Sequence, residues 1–123
     1  DGAFVNTAPL VIQACLDHYG RNEKPDRACE KAAVKEALAQ LSSIAPGHSV
    51  EVRIPPYAAI QVVAGIKHRR GTPPALVECD ARTWLLLVTG ELDWSSGINS
   101  GALQASGERS DLSSLLPLWR EHF

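Results

Sequence analysis

The chain has 123 residues, 45% of them hydrophobic and 21% charged, with a formal net charge of −2. This is the length of one domain, with enough apolar material for one core, and it lacks the basic excess of a nucleic-acid binder. No apolar run approaches the roughly 20 residues of a membrane helix, so stable membrane insertion is not expected. Asp1 to Thr7 reads as a loose lead-in. Ala8 to Tyr19 reads as a helix with Pro9 in its first turn; Val11, Ile12, Cys15, Leu16 and Tyr19 share a face, and Gly20 stops it. Arg21 to Pro25 is a polar linker. Asp26 is placed to cap a long helix that runs to about Ile44. Cys29, Ala33, Ala37 and Leu41 form its apolar stripe, with Glu30, Lys31, Lys35 and Glu36 on the wet side. Pro46-Gly47 breaks it.

Ser49 to Ile54 alternates, with Val50, Val52 and Ile54 on one side and Glu51 and Arg53 on the other, which predicts a half-buried strand. Pro55-Pro56 turns the chain. Tyr57 to Ile66 is apolar and β-branched and predicts a more buried strand. Lys67 to Pro74 is a basic loop, and Ala75 to Cys79 a further strand. Asp80 is placed to cap a helix carrying Trp84, Leu85, Leu87 and Val88, which Gly90 ends in the left-handed C′ position. Asp93 starts a shorter helix, Asn99-Ser100-Gly101 is a turn, and Ala102 to Ser106 runs extended to Gly107. Ser110 or Asp111 caps a last apolar helix, which Pro117 bends.

Little catalytic chemistry can be assembled from these elements. None of His18, His48, His68 and His122 falls in an H-x-x-x-H or H-E-x-x-H pattern. Cys15-x-x-His18 has no second ligand pair, and a closed zinc site needs about four ligands. No Ser sits in G-x-S-x-G, and no phosphate-cradling glycine loop is present. Glu78 and Asp80 form a carboxylate pair only if the strand persists through Asp80, whereas its position favours the cap. The expectation is therefore no catalytic residue, no metal and no cofactor. The three cysteines, Cys15, Cys29 and Cys79, lie among apolar neighbours and read as buried free thiols of a reducing cytoplasm. No leader of basic start, apolar centre and small-residue site is seen. Since the chain has no Met, Asp1 is not expected to be a translation start. The densest positive charge is Lys67-His68-Arg69-Arg70-Gly71. It reads either as an anion-contacting loop or as a solvated hairpin with Arg70 against Glu78.

The order of Asp80, Gly90, Leu92, Gly101, Leu103, Gly107 and the apolar run Leu112 to Leu118 resembles the C-terminal half of the sterol carrier protein type 2 family. The segments EVRIPPYAAIQVV and HRRGTPPALVECD resemble its bacterial, mostly actinobacterial, branch, in which the block matched by His68, Arg70, Gly71, Thr72, Pro73 and Pro74 recurs. The likeness covers Ser49 to Leu118; residues 1–48 form a helical lead-in without it. Periodicity and resemblance together give an α+β fold, in which a mainly antiparallel sheet of about five strands carries helices over one face. The resemblance implies a lipid tunnel with the C-terminal segment on one side. The expected function is a single-domain, non-enzymatic carrier holding a fatty acyl or sterol-like ligand between sheet and helices. Its cavity candidates are Val52, Ile54, Ile60, Val62, Trp84, Leu87, Leu103, Leu115 and Leu116, and His68 and Arg70 are the head-group candidates. Two other readings remain open. One is an accessory domain of a thiol-dependent isomerase or transferase; the other is a scaffold filled by its own side chains. Oligomeric state is not legible.

Overall fold

A computed structural model describes residues 4–65 and 75–122. In chain order these form β1 (Phe4–Asn6), α1 (Leu10–Gly20), α2 (Arg27–Ile44), β2 (Val50–Ile54), β3 (Ala58–Val62) and β4 (Ala75–Cys79). Then come α3 (Ala81–Thr89), α4 (Trp94–Ser100), β5 (Leu103–Ser106), a 3₁₀ turn (Ser113–Leu115) and β6 (Arg120–His122).

The main sheet has four strands in the order β3-β2-β4-β5. Alternation decides its faces. Val50, Val52 and Ile54 are buried, and the register sets Val52 beside Ile60 on one flank and Val77 on the other. Cys79 pairs with Leu103 in the same layer. The intervening residues Glu51, Arg53 and Gln104 look away from the core, with Arg53 Nε 3.5 Å from Glu51 Oε2. A sheet with one wet face needs cover on the other. The buried stripes of α1 (Ile12, Cys15, Tyr19), α2 (Ala33, Val34, Ala37, Leu38, Leu41) and α3 (Trp84, Leu85, Leu87, Val88) supply it.

The structure corrects the expected sheet in two respects. It has four strands rather than about five, and it is mixed rather than mainly antiparallel. β2 and β3 pair antiparallel around the Pro55-Pro56 turn, but β4 returns to the far side of β2, where it runs parallel. β3 is thereby an edge strand with half-exposed residues, not the more buried strand its composition suggested. It stops at Val62, because Val63 takes φ 68°, outside the extended region. Phe4–Asn6 is no loose lead-in; it pairs antiparallel with β6 at the other end of the chain. Residues 99 and 100 close α4 rather than forming a separate turn. The expected last helix is a single 3₁₀ turn, and Leu116, the residue before Pro117, is extended at φ −111°, ψ 150°.

Local capping chemistry sets the helix ends. Asp26 accepts from the N–H groups of Ala28 and Cys29 at 2.8 and 3.2 Å, and those donors hold its carboxyl below the usual range. Asp80 accepts from Thr83 N at 2.8 Å. Gly90 and Gly101 end α3 and α4 at φ 84° and 82°, which glycine adopts without a Cβ penalty. Replacing Asp80 by Ala should lower stability by about 1 kcal/mol, the usual worth of an N-cap. An unchanged urea midpoint would show that Asp80 does not hold this helix start.

Candidate functional site

Among the described residues a recess opens at each end of α3, one with apolar walls under an acidic rim and one lined by cations, carboxylates and phenols, and another of about 430 Å³ lies beside Arg82 and Leu86. At the C-terminal end, Gly90 turns the chain and Leu92 N returns a hydrogen bond to Leu86 O at 3.1 Å. Asp93 then opens α4. The C-terminal segment lies alongside, tied down by Leu118 N to Val88 O at 2.8 Å and by the buried Leu112. Between them is a groove of about 420 Å³. Leu87, Leu92, Trp94, Leu116 and Pro117 make its apolar walls, and Asp93, Ser95, Asp111 and Ser113 its polar rim. Asp93 Oδ2 accepts from Ser96 Oγ at 2.8 Å. Asp111 Oδ1 accepts from Ser113 N at 2.9 Å, and its hydrogen bonds to Ser113 hold its carboxyl low. The rim thus keeps two acidic side chains over an apolar floor.

Of the nine expected cavity residues, Leu87 and Leu116 line this groove. Val52, Ile54, Val62, Trp84 and Leu103 are buried in the continuous core, and Ile60 and Leu115 pack against it half-buried. Trp84 Nε1 has no hydrogen-bond partner among the described residues. His68 and Arg70, and with them the anion-loop and Arg70–Glu78 readings, lie outside the described residues. Asp80 spends its carboxylate on the α3 cap. Among the described residues, no group of three His, Cys, Asp or Glu is placed to hold a metal. Cys15 and Cys79 are buried, and burial pushes their thiols up to about 11 and about 12, away from the reactive thiolate. Cys29, expected inside, is exposed.

The reason for that exchange is Glu30, which sequence reasoning placed on the wet side. It is 5% exposed. Positions 30, 33, 34, 37, 38 and 41 of α2 are all buried, an i, i+3, i+4 stripe that admits Glu30 and excludes Cys29. The stripe expected through Cys29, Ala33, Ala37 and Leu41 is thus turned by one position at its start, and it buries a carboxylate, which is costly when alone. Its cost is offset by two phenols. Tyr19 Oη donates to Glu30 Oε2 at 2.5 Å, and Tyr57 Oη donates to Oε1 at 2.7 Å. Lengths in this range are those of charge-assisted bonds. The Arg82 guanidinium lies 5.4 Å from the Tyr19 ring centre and that of Arg27 5.6 Å from Tyr57, close enough for cation–π attraction. These groups line the second recess, also about 420 Å³, between the end of α1, the starts of α2 and α3, and the Pro55–Tyr57 turn.

Burial, followed by the hydrogen bond to Glu30, raises both phenols above their ordinary 10.0. A folded value above the unfolded one gives stability that is complete below pH 10 and is lost as pH rises past it. The chain has two tyrosines, so tyrosinate absorbance reports on this cluster alone. Folded protein should show less at pH 10 to 11 than the unfolded chain does, and the remaining signal should rise together with unfolding. A tyrosine titrating normally in folded protein would contradict the cluster. Glu30→Ala should cost roughly 3 kcal/mol, because two phenols lose their acceptor at about 1–3 kcal/mol each; denaturant unfolding measures it.

A family model described as "Bacterial SCP ortholog" matches residues 26–118. The match reaches back to the Asp26 cap and takes in α2, which the sequence reading left outside the likeness. No curated protein matches the chain.

Proposed function

This chain belongs to the bacterial sterol carrier protein family, and we propose from that premise that it is a non-enzymatic binding module for an apolar, lipid-like molecule. The observation that carries the reading is the groove beside Leu87 and Leu116: it lies in the matched segment, against the C-terminal stretch, and has an apolar floor. Its volume of about 420 Å³ falls within the size range of small-molecule sites, about 300–1,000 Å³. Leu92, Trp94 and Leu116, with Leu87 buried behind them, offer surface that an alkyl chain or sterol ring would cover at about 25 cal/mol per Å². The rim carboxylates of Asp93 and Asp111 disfavour an anionic group there, so the portion of ligand in the groove is uncharged. The other expected cavity residues then act as the wall behind the groove rather than as its lining.

Fluorescent acyl and sterol probes test the proposal. At least one should bind at micromolar affinity, about −8 kcal/mol, and change the emission of Trp94, which Trp84→Phe and Trp119→Phe would isolate. Leu116→Glu should abolish binding, since it sets a carboxylate on the apolar floor; Leu116 is half-buried, and an unchanged circular dichroism spectrum would show that the variant folds. If neither probe binds wild-type protein, the lipid reading fails.

A further inference from the structure

We propose that the recess at the opposite end of α3 is a second, independent site, which binds a small soluble molecule through a carboxylate or phosphate group. It is lined by three cations, Lys24, Arg27 and Arg82, and three carboxylates, Glu23, Glu30 and Asp80. The carboxylates are already engaged. Glu23 Oε1 accepts from Arg21 at 2.9 Å. Glu30 accepts from both tyrosines, and Asp80 from Thr83 N. The cations are engaged at most by the rings: among the described residues none of the three side chains has a hydrogen bond or ion pair. With Glu23 claimed by Arg21, three positive charges face two negative ones, and the surplus of unused N–H donors is larger still.

The arginines are also positioned rather than merely present. Each guanidinium stands over a phenol ring, and both phenols are anchored on one buried carboxylate. A guanidinium 5.4 or 5.6 Å from a ring centre gives no N–H to that ring's hydroxyl partner, and its planar fork of N–H groups matches two oxygens of a carboxylate or phosphate. Pro55 and Pro56 add an apolar wall to the recess. A planar acid can lie along that wall with its oxyanion toward the arginines. Glu30 thus serves the site without touching ligand: it fixes the rings that fix the cations.

Calorimetric titration of the full chain with inorganic phosphate and with benzoate, at constant low ionic strength, tests this. At least one anion should saturate a single site with a Kd of about 1 mM or tighter; phosphate alone would mark a phosphate ester as the ligand class, and benzoate alone a carboxylic acid. Arg27→Gln and Arg82→Gln should each weaken binding about tenfold or more. Arg53→Gln, on the open face of the sheet, should leave it unchanged. Arg27 and Arg82 are exposed, and each loses only a ring contact worth about 0.5–1 kcal/mol at such a site, so both variants should stay folded with slightly lowered thermal midpoints; if Arg82→Gln unfolds, Arg82→Lys keeps the charge, removes the fork and should still weaken binding. Failure of both anions to saturate, or equal weakening by Arg53→Gln, overturns the proposal. Neither result bears on the lipid groove, whose residues are not altered.

Discussion

The carboxylate of Glu30 is the point on which the helical layer is hung. Through Tyr19 it holds the end of α1, through Tyr57 it holds the turn that follows β2, and through its own backbone it belongs to α2. Arg82 brings the start of α3 to the same cluster by standing over Tyr19. Three segments distant in sequence therefore meet at one acceptor, and a fourth joins them through the Tyr19 ring. Such an arrangement is poor value as raw stability, since burying a carboxylate costs several kcal/mol that its bonds largely return. What it supplies is register. Apolar stripes tolerate sliding by a fraction of a turn, whereas a 2.5 Å and a 2.7 Å hydrogen bond to two oxygens of one group do not.

α3 depends on that register, and a recess opens at each of its ends. At nine residues it is about 13 Å long, so its two ends can hold chemically unlike surroundings. Asp80 satisfies the amide at its start, and the cations of the first recess gather beside it. Gly90 ends it, and the apolar groove opens where the chain departs toward α4. The face between, Trp84, Leu85 and Val88, is fully buried. Binding at one end need not disturb the other, because the intervening turns are packed core.

The features legible in the sequence were those decided locally. Asp26, Asp80 and Gly90 are recognised at helix ends because a capping side chain or a left-handed residue acts within three or four positions of itself. The alternation of Val50 to Ile54 likewise fixes a face without reference to the rest of the chain. What was not legible depends on distant partners. The parallel pairing of β2 with β4 is set by where the chain re-enters the sheet after β3, and the β1–β6 pair joins three-residue strands too short to carry a pattern. Glu30 falls in the same class: its stripe position is local, but the two phenols that make burial tolerable lie 11 positions before it and 27 after.

The cavity candidates illustrate a harder limit. Hydropathy and period identify the side of a strand or helix that leaves water; they do not say what it meets. A Val that faces another side chain and a Val that faces a ligand have the same neighbours in sequence and the same transfer free energy. Val52, Ile54, Val62 and Leu103 face protein. Leu116 lines the groove half-buried and Leu87 closes it from the core side; each stands where a backbone turns away, Leu87 three residues before Gly90 and Leu116 directly before Pro117. Free space in a close-packed interior arises where the chain path cannot follow the packing. Helix ends and X-Pro junctions are such places, and they can be read from sequence. Apolar residues within a turn of a left-handed Gly or next to a Pro are therefore better candidates for ligand contact than the centres of the strongest apolar runs.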